Sequence, residues 1–216
     1  MSAAATPSQR YAAGVARGDW LDDPAQHAAL TALDRIQHTL LTPPPARGLL
    51  ARLFDRPPVE GPPGLYLWGG VGRGKTFLID LFFDGLPFKE KRRTHFHRFM
   101  RDVHERLRAH AGESDPLAAI AQEWRHRLRV LVLDEFFVDD IGDAMLLGRL
   151  LEHLFAQGVT LVTSSNTAPI NLYQDGLQRA RFLPAIDLIT QHCAVVELIS
   201  STDYRLRALT RSPVYR

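Results

Sequence analysis

The stretch GGVGRGKT, residues Gly69 to Thr76, decides the fold of this 216-residue chain. It is a complete G-x-x-x-x-G-K-[ST] loop, and it stands between the apolar runs LYLW at 65–68 and FLIDLF at 77–82. A strand, a glycine-rich loop and a helix in that order form a phosphate-binding loop, because glycines let backbone amides approach an anion closely. The helix that begins near Lys75 adds the positive end of its dipole. The motif therefore predicts a nucleoside-triphosphate site.

The polar positions of the loop have separate expected roles. The ammonium group of Lys75 is expected to contact the β- and γ-phosphates, and the hydroxyl of Thr76 is expected to bind Mg²⁺. The stretch predicted to contact the nucleotide comprises Gly69, Gly70, Val71, Gly72, Arg73, Gly74, Lys75, Thr76 and Phe77.

Further polar residues follow two later apolar runs. The run VLVL at 130–133 is followed by Asp134 and Glu135, and the run at 159–163 leads through Ser164 and Ser165 to Asn166. Ligands of open α/β sheets bind at the carboxyl ends of the strands, so we expect Asp134 to hold the Mg²⁺ shell and Glu135 to orient or deprotonate a water. This pair indicates hydrolysis rather than group transfer. Asn166 is expected to sense the γ-phosphate, with a turn-forming role as the alternative.

Length and composition fit one main globular domain. Hydrophobic residues make up 45% of the chain and charged residues 23%, while a net charge of +2 is too small to imply nucleic acid or an acidic membrane as partner. The single cysteine, Cys193, can form no internal disulfide and fits a reducing compartment. No apolar run approaches the ~18 residues of a membrane span, and the chain start lacks the apolar stretch of a secretory signal.

The chain is predicted to divide into three parts. Residues 1–60 comprise a helical leader and a proline-rich connector, and the domain boundary is expected near Gly61. The stretch 43–63 carries seven of the 14 prolines. The leader contains an amphipathic helix at 23–41. The nucleotide-binding core is expected at 61–200, with a further segment at 201–216.

Within the core, apolar runs alternate with helical patterns, which is typical of a parallel sheet covered by helices. The predicted strands are 65–68, 94–99, 130–133, 159–163 and 194–198. The predicted helices are 75–83, 101–110, 116–126, 143–157 and 183–192. The fold class is therefore α/β with five strands.

A basic segment overlaps the second predicted strand. It contains Lys89, Lys91, Arg92, Arg93, Arg98 and Arg101, interleaved with Phe96 and Phe99. We interpret it as a solvated face with core aromatics, and nucleic-acid binding is the less favoured alternative. His95 and His97 would share one face of this strand, but no third ligand is near in sequence, so no metal other than Mg²⁺ is expected.

Longer segments of the chain resemble the ZapE family, AAA+ ATPases related to the mitochondrial AFG-like ATPases. The resemblance spans Tyr11 to Arg207 and rests on GLYLWGGVGRGKT, KRRTHFHRFMRDVH, VLDEFFVDDIGDAMLLGRLLEHLFAQGV, TSSNTAPINLYQDGLQRARFLPAI and DYRLR. It implies an AAA+ core with strand order 5-1-4-3-2, ATP as the nucleotide, and a ring in which a neighbour completes each site. It also implies destabilisation of FtsZ polymers during bacterial cell division in the cytoplasm, or protein quality control at the mitochondrial inner membrane.

The resemblance also implies an arginine that acts on a neighbour's site. Arg179 and Arg181 both qualify, and the family pattern favours Arg179, with surface charge as the alternative. ZapE-type proteins continue beyond DYRLR into a helical lid, so residues 201–216 are expected to begin a lid that is largely absent, with weakened ATP binding. A helicase-loader-like ATPase and a nucleotide-binding module without turnover remain alternatives. A GTPase is disfavoured because no Asn-Lys-x-Asp motif occurs.

Overall fold

Five parallel strands form the centre of the molecule in the computed structural model, which describes residues 4–42, 61–125 and 127–199. The strands are β1 (Gly64–Trp68), β2 (Lys91–His95), β3 (Val130–Asp134), β4 (Thr160–Ser165) and β5 (Cys193–Glu197). Their order is β2-β3-β4-β1-β5, and every neighbouring pair is parallel. This is the predicted order read from the other edge, so the predicted α/β fold is confirmed.

Seven helices are described around this sheet. They are α1 (Pro7–Arg17), α2 (His27–Leu41), α3 (Lys75–Gly85), α4 (Phe96–Ala109), α5 (Pro116–Trp124), α6 (Ile141–Ala156) and α7 (Leu183–His192). Two apolar cores lie on opposite faces of the sheet: α1, α2 and α3 cover one face, and α4 to α7 cover the other. Alternate residues of one strand enter different cores; Leu65 packs with the first group and Tyr66 with the second. Burial on both faces explains why the central strands read as continuous apolar runs.

The leader packs onto the core. Helix α1, which sequence reasoning did not include, begins with a capping box between Thr6 and Gln9 and ends at Gly18 in a left-handed conformation with a φ of 76°. A short 3-10 turn over Pro24–Gln26 precedes α2, so the predicted helix starts later than expected. The proline-rich connector at 43–60 and the segment at 201–216 lie outside the described residues.

The predicted strand at 94–99 is wrong. Strand β2 comprises Lys91–His95 and helix α4 begins at Phe96, so His95 and His97 do not share a strand face. Phe96, Phe99, Met100 and Val103 are buried at helical spacing, and the two phenylalanines were mistaken for strand positions. The strand itself is polar because it lies at the sheet edge and its cations contact groups of the same chain.

Cys193 begins β5 and is buried, and burial raises the pKa of its thiol to about 12. Among the helices of the described ranges, none is long and apolar enough to cross a membrane.

Candidate nucleotide-binding site

The glycine-rich loop connects β1 to α3 in a conformation that needs its glycines. Gly69 has a φ of 148°, and a Cβ there would lie 2.6 Å from the carbonyl oxygen of Leu198, which follows β5. Gly74 is the N-cap of α3 with a φ of 88°, and no side chain caps that end of the helix. The first amide groups of α3 are therefore directed toward the loop with no side-chain acceptor, as a phosphate site requires.

Lys75 lies at the centre of the loop. Its Nζ donates to the carbonyl oxygens of Gly69 at 2.6 Å and Gly70 at 2.8 Å, and to the Oδ1 of Asn166 at 3.0 Å. Burial, and secondly the positive charge of Arg73, lower the pKa of Lys75. The contact with Asn166 brings the end of β4 to the loop, although the two residues are far apart in sequence.

One cleft of about 450 Å³ unites most of the predicted site residues. It lies at the carboxyl ends of the central strands, where ligands of open α/β sheets bind. Its lining residues are Val71, Gly72, Arg73, Gly74, Lys75, Thr76, Phe77, Glu135, Ser164, Ser165 and Asn166. The carboxylate predicted to activate water, the predicted sensor and the phosphate-binding loop therefore surround the same space.

Asp134 is buried at the end of β3 and does not line this cleft. Its Oδ2 accepts a hydrogen bond of 2.7 Å from the Nε of Arg93, and its Oδ1 accepts one of 3.4 Å from the Nη2. Arg93 also donates through Nη1 to Asp80 on α3. Burial disfavours the charge of Arg93, but the hydrogen bonds to Asp134 and Asp80 outweigh it, so its pKa is raised. Arg93, on β2, therefore holds the carboxylate of Asp134, the predicted metal ligand.

Glu135 leaves the strand in a left-handed backbone conformation, with a φ of 54°. This conformation is uncommon for a residue with a side chain, and such residues are frequent at active sites. The backbone N–H of Glu135 donates to the Oγ of Ser164 at 3.3 Å. Its carboxylate is 76% exposed and lies 3.5 Å from the Nδ1 of His95, at the end of β2. The turn therefore presents this carboxylate to the cleft.

A row of hydrogen bonds fixes the ends of β3 and β4 relative to each other. The hydroxyl of Ser165 donates to the carbonyl of Phe136 at 2.7 Å and accepts from the N–H of Thr167 at 3.1 Å. The buried Tyr66 donates its hydroxyl to the carbonyl of Thr167 at 2.8 Å. Asn166 stands between these anchored residues, so its position relative to Glu135 is set by buried side chains.

Arg179 lies away from the cleft. It begins a 3-10 turn over Arg179–Arg181, and its Nη2 donates to the carbonyl oxygen of Ile170 at 2.6 Å. Neither Arg179 nor Arg181 is among the residues that line the cleft. The action of Arg179 on the site of another chain therefore stays a prediction.

Three of the six cations of the basic segment contact groups of the same chain. Lys91 donates to the carbonyls of Phe83 and Leu86 at 2.6 and 2.8 Å. Arg92 forms an ion pair of 2.7 Å with Asp102, and Arg93 contacts the two carboxylates described above. The expectation of a solvated face is therefore wrong for these three cations.

The chemistry of the donor set fits Mg²⁺. The hydroxyl of Thr76 and the carboxylate of Asp134 are hard oxygen donors of the kind that Mg²⁺ prefers beside phosphates. In the ranges 4–42, 61–125 and 127–199, no group of three or more His, Cys, Asp or Glu side chains is arranged to hold another metal.

Sequence reasoning missed three residues of this region. Arg93 was assigned only to the basic segment, and Ser164 and Ser165 were noted without a role. An arginine directly before the predicted strand was the available signal, because an arginine that folding buries requires a carboxylate partner. Nothing in the local sequence identified that partner as Asp134.

Comparison with known proteins gives a family and close sequence relatives. Residues 5–216 match the family described as AFG1-like ATPase. The cell division protein ZapE of Escherichia coli (strain K12) is 50% identical over 220 residues, which cover 97% of this chain and 59% of that protein. Lactation elevated protein 1 homolog B of Danio rerio is 40% identical over 159 residues, covering 68% of this chain and 32% of that protein. The resemblance to the ZapE family is confirmed, and the chain spans 59% of the E. coli relative.

Solved structures with the same fold are more distant in sequence. The crystal structure of DnaI has a TM-score of 0.59 at 17% identity, covering 86% of this chain and 87% of that one. Domain III of the Thermotoga maritima replication initiation protein DnaA has a TM-score of 0.58 at 17% identity, covering 90% and 70%. These likenesses establish the fold alone.

Proposed function

The chain belongs to the AFG1-like ATPase family, and from this premise we propose that it hydrolyses ATP to ADP and phosphate at the cleft described above. The observation that carries the proposal is the meeting of Lys75, Glu135 and Asn166 at one cleft. These residues come from α3, the end of β3 and the end of β4. A phosphate-binding cation, an exposed carboxylate and an uncharged amide are the groups that phosphate-anhydride hydrolysis needs.

Each residue has a distinct part in the proposed reaction. Lys75 and the amides at the start of α3 bind the β- and γ-phosphates and stabilise the charge that develops during transfer. Glu135 orients a water for attack on the γ-phosphorus and accepts its proton. Asn166, held by Ser165 and Tyr66 through the neighbouring Thr167, hydrogen-bonds the γ-phosphate or the attacking water.

Thr76 and Asp134 would hold Mg²⁺, which when bound neutralises charge on the β- and γ-phosphate oxygens. Arg179 is proposed to act on the site of a second copy in a ring. This assignment is supported by its absence from the lining of its own cleft and by the family resemblance.

The biological role proposed for this hydrolysis is the remodelling of a protein partner in cell division. The 50% identity to E. coli ZapE supports this role, and FtsZ polymers in the bacterial cytoplasm are the proposed target. Quality control in mitochondria is the alternative that the wider family leaves open. A nucleic-acid partner is less favoured, because Lys91, Arg92 and Arg93 contact carbonyls and carboxylates of their own chain.

The hydrolysis proposal is tested by phosphate release from ATP with the wild-type chain and Glu135→Gln. We expect turnover to fall about 10²–10⁴-fold in the variant while ATP still binds, because only the proton acceptor is lost. Glu152→Gln, at an exposed position of α6, is the matched control and should behave as wild type. Equal turnover in Glu135→Gln and the control would rule out the proposed role.

The partner proposal is tested separately by sedimenting FtsZ polymers with the chain and ATP. We expect less FtsZ in the pellet with the wild-type chain than with Glu135→Gln. An unchanged pellet, measured with a chain that does hydrolyse ATP, would remove FtsZ as the target without affecting the ATPase assignment.

A further inference from the structure

Arg93 makes contacts that the proposed reaction does not use directly. It lies in the middle of the edge strand β2, opposite Val132 of β3, and only 20% of its side chain is exposed. Its guanidinium donates to both oxygens of Asp134 and, through Nη1, to Asp80. One planar group therefore ties the end of β3 to helix α3.

The two carboxylates belong to the two elements that carry the proposed Mg²⁺ ligands. Asp134 is one of those ligands, and Asp80 follows the other, Thr76, by four residues on α3. Residues four apart lie on the same face of a helix, so Asp80 stands one turn beyond Thr76. Arg93 thus joins the face of α3 that carries Thr76 to the carboxylate of Asp134.

We propose that Arg93 is a positioning residue that sets the carboxylate of Asp134 relative to Thr76, and so determines how tightly the cleft holds Mg²⁺ with a nucleotide. This inference rests on the proposed function of the cleft. Partners that orient metal ligands in this way typically change metal affinity 10–100-fold when they are replaced.

Because the side chain of Asp134 is buried, it needs the contact with Arg93. Its side chain is 12% exposed, and within the described part of the chain its other side-chain contact is the Oγ of Ser164 at 3.5 Å. A buried carboxylate without a charged partner is costly, so Arg93 supplies the compensation. The fork of the guanidinium also fixes the orientation of the carboxylate, which a point charge cannot do.

Replacing Arg93 with lysine tests whether its charge or its geometry acts on Asp134. Arg93→Lys keeps the positive charge but loses the planar set of donors that reaches Asp134 and Asp80 together. If Arg93 only neutralised charge, this substitution would leave Mg²⁺ affinity unchanged. If Arg93 positions the carboxylate, the same substitution weakens Mg²⁺ binding.

The experiment titrates Mg²⁺ into each variant with a fluorescent, non-hydrolysable ATP analogue and measures nucleotide affinity, beginning in EDTA. For Arg93→Lys we expect the half-saturating Mg²⁺ concentration to rise about 10-fold or more, with the affinity in EDTA unchanged. The neighbouring Arg92 provides a matched control, because it pairs with Asp102 and lies over the rings of Phe99 and Trp124. Arg92→Lys should leave both quantities unchanged.

Two results would overturn the inference. Arg93→Lys could show the Mg²⁺ dependence of Arg92→Lys, or it could lose affinity equally in EDTA and in Mg²⁺, which would mean that Arg93 supports the loop as a whole. If Arg93→Lys fails to fold, as judged by its melting temperature, Asp80→Asn is tested instead. It should weaken Mg²⁺ binding in the same direction by a smaller factor, and an unchanged Mg²⁺ dependence would overturn the inference.

Failure of the inference and failure of the proposed function give different results. A wild-type chain that binds no nucleotide in EDTA or in Mg²⁺ overturns both. A wild-type chain that binds the analogue with Mg²⁺, beside an Arg93→Lys variant with the same Mg²⁺ dependence, overturns only the role of Arg93.

Discussion

The nucleotide cleft and the turn that carries Arg179 differ in what their side chains contact. At the cleft, Lys75 donates to Asn166, and Ser165 joins the segment after Glu135 to the segment after Asn166. Arg179 instead donates to the carbonyl of Ile170, outside the cleft. On our proposal, one chain therefore provides the groups for phosphate binding and water activation, and the arginine acts on a second copy.

The turn of Arg179 also has exposed apolar side chains close to it in sequence. Ile170 and Leu177, which both precede the turn of Arg179 in sequence, are 63% and 70% exposed. Large exposed apolar residues beside an arginine are typical of a protein–protein contact. Ser164 and Ser165, which hold the cleft, are buried. The residues behind the cleft are thus buried, whereas the turn has the composition of an interface.

The largest expected effect concerns the turn. Arg179→Ala should lower turnover by about 10³-fold or more at protein concentrations that allow assembly, because a charge that stabilises the transition state is lost. ATP affinity of the isolated chain should not change. Phosphate release is measured beside Arg181→Ala, an exposed neighbour that should retain most activity. Equal losses in the two variants would contradict the difference between turn and cleft.

A substitution in the cleft should weaken nucleotide binding and not only turnover. Lys75→Met removes a cation that would make charge-assisted bonds to phosphate oxygens, so affinity for an ATP analogue should fall by about 10–100-fold. The measurement is fluorescence titration of the analogue, with Arg179→Ala as the variant that keeps binding. Unchanged affinity in Lys75→Met would show that the phosphates bind elsewhere.

The hydrogen bonds behind the cleft should have a smaller effect. Ser165→Ala leaves the part-buried N–H of Thr167 and the buried carbonyl of Phe136 without this partner, which should cost about 1–3 kcal/mol of unfolding free energy. Turnover should fall by about 10-fold, since Asn166 and Glu135 lose a shared anchor. Denaturant unfolding and phosphate release are compared with Thr190→Ala, at an exposed site on α7. A loss of stability with no loss of turnover would separate this anchor from the chemistry.

The smallest expected effect is a dependence on alkaline pH. Burial and the nearby Arg73 lower the pKa of Lys75, so its ammonium loses the proton at a lower pH than an ordinary lysine does. Between the lowered pKa and the ordinary lysine value, ATP affinity should fall as pH rises. In the same window folding stability should rise, because the unfolded state binds more protons there. Lys75→Met should show neither trend; if it keeps the decline in affinity, another group is responsible.

Much of the fold followed from the sequence because its signals are local. The phosphate-binding loop lies between β1 and α3, and the apolar runs of the central strands are buried on both faces. The edge strand β2 has no such apolar run. Lys91, Arg92 and Arg93 form hydrogen bonds and ion pairs inside the chain, so β2 is polar, and the apolar spacing from Phe96 belongs to a helix.

The site was less predictable where it depends on contacts between distant segments. The sequence could place Lys75, Glu135 and Asn166 together because each follows a strand, and the carboxyl ends of parallel strands lie on the same side of the sheet. The pairing of Arg93 with Asp134 and Asp80 joins three elements, and no local pattern specifies it. The left-handed conformation of Glu135 likewise depends on Ser164, 29 positions later.

The most direct test of the account mixes Lys75→Ala with Arg179→Ala, each inactive alone, and measures ATP turnover. Half of the protomers then keep a complete cleft, and half of their neighbours carry Arg179, so random assembly should restore about a quarter of wild-type turnover. This recovery would show that cleft and arginine come from different copies. A mixture no more active than the sum of its two components would contradict that claim.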